Sequence, residues 1–427
     1  MRQMPDTLKI TFNHGDVGEL KYDRNDDVFE IIYDETWKKK GFAISPQIPL
    51  EKAPRPHAVE VYLKNLFPEG RGLEILAGSI AVSKDNTFAL IRKIGADVAG
   101  ALAFDPDNQD NSFRPIGEKE LAERIADRDH INIAEWDGDI RMSVAGVQEK
   151  LPVTIRDGVI GLGGSSLPST HILKFGKKED DNIVLNEFFC MRLAKACKLA
   201  VANVELKRFG EQTALTVERF DRMIKGDQIK RIHVIDGCQL LGVPPAMKYE
   251  RNLGSGRDVA HVRNGVSFEK LFGAAKAFKR SAKARLSLLQ WALFNLIISN
   301  ADAHAKNISF FVNQQEISVA PLYDLLNIAM HPKYHQELAM AFGDEFNGSD
   351  VKGYALRDFS EGIGENPKLV SQQMLALVKA VRKALPLEIG VKTNETEQAF
   401  IDSMEKRIKE RCDQFEDAAK QMLKVSY

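Results

Sequence analysis

Apolar and polar residues alternate at the start of the chain, in a first hundred residues whose pattern is mixed and predicts a compact α/β unit. The runs LKITF and VGELKY flank turn residues at 13–16, a pattern that predicts a β-hairpin. From about Asp139 the runs IRMSVAG, EKLPVTIRDGVIGL and THILKF are rich in β-branched and apolar residues, which favours further strands, with a turn at Asp157-Gly158.

The spacing of apolar residues changes to a helical one at LNEFFCMRLAKACKL, residues 185–199. Two strand-like runs, VANVELKRF and TALTVERF, follow, and helical patterns dominate after about residue 240. These patterns predict an α+β protein of two lobes, with a mixed α/β N-terminal part and a mostly helical C-terminal lobe.

Polar and turn-forming residues accumulate around residues 105–115, where we expect a linker or an exposed loop. We therefore predict an N-terminal α/β subdomain over 1–108, an N-lobe over 109–240 and a mostly helical C-lobe over 241–427. The segment GLGGSSL, residues 161–167, is expected to be a flexible loop.

Composition excludes some classes of protein but does not indicate a binding partner. The 427 residues include 59 Lys and Arg against 60 Asp and Glu, so no overall field attracts nucleic acid or a membrane. The four cysteines lack CxxC spacing, and the start of the chain lacks the apolar core of a signal peptide. No apolar run approaches the roughly 18 residues of a spanning helix. We expect a cytoplasmic protein that is not integral to a membrane.

The segment SNADAHAKNISFF, residues 299–311, contains Asp302, His304, Lys306 and Asn307 between apolar stretches. Taken singly, Asp302 as a capping residue, Lys306 as a solvated lysine and Asn307 as a turn residue would each be commonplace. The spacing from Asp302 to Asn307, however, is that of the protein-kinase catalytic loop HRDxxxxN, whose aspartate accepts a proton and whose asparagine holds magnesium. The combination predicts a catalytic loop with Asp302, His304 and Lys306 as catalytic residues.

A second carboxylate follows this loop. ISFFV, a polar turn at 313–315 and EISVAPLYD predict a hairpin that ends at Asp324, where a kinase would have its DFG aspartate, although Phe-Gly is missing. Mg²⁺ prefers oxygen ligands and needs few from the protein when phosphates supply the others, so Asn307 and Asp324 are the predicted metal ligands.

A kinase also uses a lysine on a strand and an acidic residue on a helix that holds this lysine, and the chain has a candidate for each. Lys174, in the strand THILKF, is a candidate for neutralising phosphate, and Glu187 on the next helix is its candidate partner. The alternatives are an edge-strand lysine and a glutamate that complements a helix dipole.

Two backbone segments are candidates for contacts with the nucleotide. In SVAGVQEK, residues 143–150, backbone N–H groups around Gly146 could face phosphates, although an ordinary β-turn is the alternative. The strand end at Glu218, Arg219 and Phe220 suits adenine, and an ordinary strand end is about as good an explanation. His331 and His335 do not form a metal site in this interpretation, because Pro332 interrupts the helix that would align them.

Taken in order, several segments resemble the HipA-type serine/threonine kinase toxins of bacterial type II toxin–antitoxin modules. The resemblance covers nearly the whole chain and is carried by NLFPEG, IGADVAGAL, MSVAGVQEK, THILKF, VERFDR, DGCQLLGVPPAMKYE, NADAHAKN and PLYD. It implies a two-lobed protein-kinase-like fold that uses ATP and Mg²⁺. The implied site has Lys174 on the phosphates, the backbone of 218–220 at adenine, Asp302 as catalytic residue, and Asn307 and Asp324 on the metal.

The resemblance also implies regulation and partners. Autophosphorylation of Ser143 would silence the enzyme by displacing the phosphate-binding loop, which comprises Val144, Ala145, Gly146, Val147, Gln148, Glu149 and Lys150. A HipB-like helix-turn-helix antitoxin would carry the toxin to operator DNA as corepressor, and the phosphorylated protein would belong to the tRNA-charging or translation machinery. A catalytically silent ATP-binding corepressor and a small-molecule or lipid kinase remain the alternatives.

Overall fold

The computed structural model divides the chain into two compact units. Unit 1 comprises Met1–Val184, Asn203–Ile235 and Phe311–Gln315, and unit 2 comprises Leu185–Ala202, Asp236–Phe310 and Glu316–Tyr427. The residues described by the structure are 6–13, 15–55, 57–105, 110–128, 130–141, 149–164, 166–176, 182–226 and 228–425.

Unit 1 is built mainly of strands. Its strands are β1 (Asp6–Phe12), β2 (Gly15–Asp23), β3 (Val28–Tyr33), β4 (Leu102–Phe104), β5 (Phe113–Pro115), β6 (Glu135–Trp136), β7 (Asp139–Ile140), β8 (Lys150–Arg156), β9 (Val159–Gly163), β10 (His171–Phe175), β11 (Val204–Phe209), β12 (Gln212–Glu218), β13 (Arg222–Lys225), β14 (Gln228–Arg231) and most of β15 (Val234–Asp236). Its helices are α1 (Glu35–Lys40), α2 (Ala58–Lys64), α3 (Arg71–Ser79), α4 (Thr87–Ile94) and α5 (Glu118–Ala126).

The first sheet of unit 1 confirms the predicted N-terminal hairpin. Its strand order is β3-β2-β1-β4, and β1 pairs antiparallel with β2. Leu8 and Ile10 on β1 and Leu20 on β2 are buried while intervening residues reach solvent, so the period-two pattern of the sequence corresponds to one covered face.

The second sheet of unit 1 has the order β11-β12-β10-β8-β9-β5. Strand β10 lies inside this sheet, between β8 and β12, so Lys174 is on a central strand and not on an edge. The predicted turn between β8 and β9 is confirmed, since Asp157 and Gly158 both have positive φ, as a two-residue hairpin turn requires.

The structure corrects two expected loops. Phe113–Pro115, inside the expected linker, forms the edge strand β5, where a proline is tolerated because one side of the strand has no partner. Gly161 and Gly163, expected in a flexible loop, belong to β9 and pair with β5. A Cβ on Gly161 would lie 2.6 Å from the carbonyl oxygen of Arg114, so this glycine permits a close approach of two strands.

Unit 2 is mostly helical. Its helices are α6 (Asn182–Ala196, from Leu185 onward), α7 (Gly237–Leu241), α8 (Phe268–Ala275), α9 (Ser281–Ile297), α10 (Gly353–Gly362), α11 (Pro367–Ala384) and α12 (Glu395–Gln421), and its strands are β16 (Ser309–Val312, through Phe310) and β17 (Ile317–Val319). In the long helix α12 the buried positions recur every three or four residues, namely Ile401, Met404, Ile408, Cys412, Phe415 and Ala419.

The expected α+β class, with a mixed first part and a mostly helical second part, is confirmed. The helix predicted from LNEFFCMRLAKACKL is α6, and β11 and β12 are the two strands predicted after it. Throughout the described ranges, every helix is too short or too polar to cross a bilayer.

Candidate active site

The predicted catalytic loop follows α9 in unit 2 and ends in a 3₁₀ turn at Ala305–Asn307. Asp302 is half-buried, and its Oδ1 accepts a hydrogen bond of 2.5 Å from the hydroxyl of Tyr249. The backbone N–H of Ala305 donates to the carbonyl oxygen of Lys248 at 3.1 Å. The segment at 248–249 therefore braces the loop that carries the candidate catalytic carboxylate.

Both candidate metal ligands form hydrogen bonds with residues of this loop. Asn307 donates through Nδ2 to the carbonyl oxygen of Asp302 at 2.9 Å, which leaves its amide oxygen Oδ1 as the atom suited to a metal ion. The carbonyl oxygen of Asp324 accepts a hydrogen bond of 3.3 Å from Nδ2 of Asn300. Asp324 has φ of 57°, a left-handed conformation that non-glycine residues adopt mainly where the surroundings impose it.

His304 is buried, and its ring packs edge-to-face against Tyr249 with centroids 5.1 Å apart. Burial, and secondarily the nearby Lys248, hold the pKa of His304 well below its ordinary value. The imidazole is therefore neutral at pH 7. Among the described residues its buried Nδ1 has no hydrogen-bond partner, so the ring contributes packing and one unsatisfied nitrogen.

Lys306 forms a buried ion pair. Its Nζ lies 2.6 Å from Oδ2 of Asp236, and the Lys306 side chain is 3% exposed. Asp236 also caps α7, because its Oδ1 accepts from the N–H of Gln239 at 2.8 Å and its own N–H donates to Oε1 of Gln239 at 3.0 Å. The hydroxyl of Tyr323 donates to the carbonyl oxygen of Lys306 at 2.6 Å. Lys306 thus connects the catalytic loop to a helix N-terminus.

Further residues predicted to bind the nucleotide are present in each unit. In unit 1, Lys174 is buried on β10 and lies opposite Lys150 of β8 and Leu215 of β12 in the sheet register. The carbonyl oxygen of Glu149 accepts the N–H of Phe175 at 3.2 Å. Glu187 lies in unit 2, buried on α6.

The segment predicted to meet adenine is anchored by a buried ionic cluster in unit 1. Arg219 pairs with Asp221 at 2.8 Å, and Arg222 pairs with Asp221 at 2.8 Å and with Asp97 at 3.0 Å. Burial opposes ionisation of Asp97, but the arginines, Arg219 foremost, hold its pKa below the ordinary value. The pKa of Asp221 is lowered against the same burial by Arg219 and Arg222. The ion pairs of Arg219 and of the adjoining Asp221 and Arg222 therefore hold the backbone of 218–220 in place.

Part of the predicted phosphate loop lies outside the described residues. This applies to Ser143, Val144, Ala145, Gly146, Val147 and Gln148. Within the described ranges, no group of three or more His, Cys, Asp or Glu side chains is arranged to hold a metal, so a cation at Asn307 and Asp324 would depend on ligand oxygens for its other positions.

Sequence reasoning missed three residues of this arrangement. Tyr249, Asp236 and Asn300 each contact the candidate loop. Asn300 is in the segment that the sequence singled out, yet nothing in its spacing marked it. Tyr249 and Asp236 are 53 and 70 positions away from their partners, and only the fold brings them there.

Comparisons with known proteins cover both parts of the chain. The family model of the HipA N-terminal domain matches residues 8–105, and that of the HipA-like C-terminal domain matches residues 142–387. The chain is 41% identical over 418 residues to the protein named serine/threonine-protein kinase toxin HipA of Shewanella oneidensis, covering 96% of each chain. It is 32% identical to Y4mE of Sinorhizobium fredii, covering 93% of this chain and 94% of that protein.

A solved structure agrees with these matches. It contains HipA of Shewanella oneidensis with HipB and operator DNA, and the present fold superimposes on it with a TM-score of 0.90 at 39% identity, covering 98% of this chain and 100% of the other. The family model of the C-terminal domain alone spans more than half of the sequence. The chain belongs to the HipA family.

Proposed function

We propose that this protein is an ATP- and Mg²⁺-dependent serine/threonine protein kinase that acts as the growth-inhibiting toxin of a type II toxin–antitoxin pair. The relative with 41% identity carries the name of such a kinase toxin. The observation that carries the proposal is the linkage of Asp302 and Asp324 through the buried amide of Asn300. The linkage runs through backbone atoms, the N–H of Asp302 and the carbonyl oxygen of Asp324, and it joins the two segments that carry the candidate acidic residues.

The residues present fit a magnesium ion. The donor set is an amide oxygen from Asn307 and a carboxylate from Asp324, both hard oxygen ligands, and the Nδ2 of Asn307 is already engaged with the backbone of Asp302. When bound with ATP, Mg²⁺ supplies charge neutralisation at the phosphate oxygens. Lys174 adds the ammonium group of unit 1, and the backbone of 149–150 and of 218–220 contributes to nucleotide binding.

Asp302 orients the acceptor hydroxyl and accepts its proton. Tyr249 holds Oδ1 of that carboxylate, and Asn300 holds its backbone N–H, so the side chain meets the acceptor in a fixed geometry. His304 is neutral and buried, and it keeps Tyr249 in place. Lys306 secures the loop through Asp236, so we assign it a positioning role within the catalytic loop.

Membership of the family supports proposals about partners and regulation. The related HipA in the solved structure is bound to HipB and operator DNA, which supports a HipB-like antitoxin and a corepressor role for this chain. We further propose cytoplasmic location, an acceptor protein in the tRNA-charging or translation machinery, and inactivating autophosphorylation on Ser143. The resemblance of MSVAGVQEK supports this last proposal.

Labelled phosphate transfer tests the function. Wild type, Asp302→Asn and the exposed control Asp417→Asn are incubated with labelled ATP, Mg²⁺ and cell lysate, and protein and small-molecule products are separated. We expect labelled protein with wild type and Asp417→Asn, and at least a hundredfold less with Asp302→Asn. Label only in small molecules would indicate a small-molecule or lipid kinase. No label in any fraction would indicate a silent corepressor.

A further inference from the structure

The side chain of Asn300 is shared between the two candidate acidic residues. It is 2% exposed. Its Oδ1 accepts the N–H of Asp302 at 3.1 Å, and its Nδ2 donates to the carbonyl oxygen of Asp324 at 3.3 Å. One planar amide therefore contacts the backbone of both loops, although Asn300 and Asp324 are 24 positions apart in the chain.

The orientation of that amide is fixed by a second asparagine. Nδ2 of Asn295, on α9, donates to the carbonyl oxygen of Trp291 at 2.9 Å, so its Oδ1 is turned toward Asn300 and accepts from Nδ2 of Asn300 at 2.8 Å. If the Asn300 amide were flipped, Nδ2 would face the N–H of Asp302 and Oδ1 would face two acceptors. Those three repulsive contacts in a buried place exclude the flip.

Two residues near this amide have a left-handed backbone conformation. Ser299 has φ of 58° and Asp324 has φ of 57°, and the N–H of Ile328 donates to the carbonyl oxygen of Ser299 at 3.1 Å. Neither residue is a glycine, so each conformation has to be imposed by its surroundings. The hydrogen bonds of Asn300 and Ser299 link the segments that contain these two bends.

We propose that Asn300 is a positioning residue that sets the metal-binding carboxylate of Asp324 relative to the catalytic carboxylate of Asp302. The inference rests on the proposed kinase function and assigns the residue that makes the two loops act as one site. Asn300 does not contact substrate. It acts by holding the Asp324 backbone at the bend from which its side chain meets the metal.

The informative variant is Asn300→Asp. It keeps an oxygen that accepts the Asp302 N–H, and it replaces the donor toward Asp324 with a second oxygen. Asn295→Ala is the supporting variant, because it leaves Asn300 in place and removes the acceptor that orients it. Ser371→Ala is the matched control, since it deletes a buried hydrogen bond of 2.7 Å to Ala419, between α11 and α12, and is expected to lower stability without altering the loops.

The primary measurement is calorimetric binding of a non-hydrolysable ATP analogue with and without Mg²⁺. We expect Asn300→Asp to bind the metal-free analogue within twofold of wild type and to lose about tenfold of the affinity gained from Mg²⁺. Asn295→Ala should shift the same ratio in the same direction by a smaller factor. The Mg²⁺ concentration for half-maximal phosphate transfer should rise by about tenfold in Asn300→Asp, and Ser371→Ala should change neither quantity.

Two results have distinct meanings. If wild type gains no affinity from Mg²⁺ and transfers no phosphate, the proposed function is overturned, and the inference with it. If wild type responds to Mg²⁺, and Asn300→Asp and Asn295→Ala respond equally well despite lower melting temperatures, Asn300 is a purely structural amide and only the inference is overturned. Should Asn300→Asp not fold, Asn295→Ala decides the question by the same ratio.

Discussion

The hydroxyl of Tyr249 lies 2.5 Å from Oδ1 of Asp302 and donates a hydrogen bond to it. This hydrogen bond restrains the position of the Asp302 carboxylate, because the ring of Tyr249 is itself packed against His304. We expect this carboxylate to receive the proton of the acceptor hydroxyl. We therefore expect Tyr249 to orient the candidate catalytic carboxylate without taking part in the transfer.

Replacing Tyr249 by Phe should slow phosphate transfer. The variant keeps the ring contact with His304 and loses one hydrogen bond to a charged group, for which we expect about a tenfold lower kcat. The KM for ATP should stay within twofold of wild type, because the hydroxyl contacts the carboxylate of Asp302 and we assign nucleotide binding to other residues. Steady-state kinetics measure both values, and Tyr354→Phe, at a tyrosine that is 60% exposed, is the control. An unchanged kcat in Tyr249→Phe would remove the assigned role.

Replacing Lys306 by Met should destabilise the protein. The change leaves Asp236 largely buried without its cation, and removing one member of a buried pair typically costs about 3–5 kcal/mol. The double variant Asp236→Asn with Lys306→Met should recover most of that loss, because no charge then remains unpaired. Denaturant unfolding measures the free energies. A Lys306→Met protein with wild-type stability and no transfer would instead place the ammonium in the chemistry.

Stability should fall between pH 6.5 and pH 4 because of His233. Burial lowers the pKa of His233 to about 4, and its Nε2 lies 2.8 Å from the carbonyl oxygen of Ile44, to which it donates. A base whose pKa is depressed on folding stabilises the fold above its unfolded pKa of about 6.5, and that contribution is lost as pH falls toward 4. The loss approaches about 3 kcal/mol at 1.36 kcal/mol per pH unit.

The comparison that isolates this effect is between wild type and His233→Gln, whose amide can still donate to Ile44 but cannot be protonated. Unfolding free energies are measured at pH 7, 6, 5 and 4. The wild type should lose more stability than the variant over this range, and His57→Gln, at an exposed histidine, should follow the wild type. Parallel curves for wild type and His233→Gln would contradict the prediction.

Replacing Asp97 by Asn should weaken unit 1. The carboxylate lies among the buried guanidinium groups of Arg219 and Arg222, and its loss leaves positive charge insufficiently neutralised, at a cost of about 3–5 kcal/mol. Nucleotide affinity should also decrease, since the cluster holds the backbone of 218–220. Denaturant unfolding and analogue binding are the measurements. Asp137→Asn, which breaks an exposed pair with Arg114, should change stability by no more than about 1 kcal/mol.

Local pattern was sufficient for much of the fold. The hairpin of β1 and β2, the strand β10 and the helix α6 follow from period-two and period-3.6 spacing, which burial of one face imposes on the sequence itself. Local pattern misassigned β5 and the end of β9. There the glycine- and proline-rich composition that normally marks a loop allows two strands to approach closely.

The candidate site was predictable only in part, for a similar reason. Asp302 and Asn307 share one loop, so their spacing is visible in the sequence. The ion pair between Lys306 and Asp236 depends on tertiary contacts, and no one-dimensional spacing encodes it. The predicted catalytic roles of His304 and Lys306 stay predictions, and the contacts of both residues support the positioning roles proposed for them above. The predicted domain boundaries also stay predictions.

Hydrogen bonds join the first hundred residues of the chain to a later part of unit 1. Asn13 exchanges two hydrogen bonds of 2.7 Å with the backbone of Arg231, and the N–H of Gly100 donates to Asp221 at 2.8 Å. A fragment cut after residue 105 would expose these donors and acceptors together with the carboxylate of Asp97. The N-terminal segment therefore depends on contacts with a later part of unit 1. A chimera that took this segment from a homologue would also need the arginines that pair with Asp97.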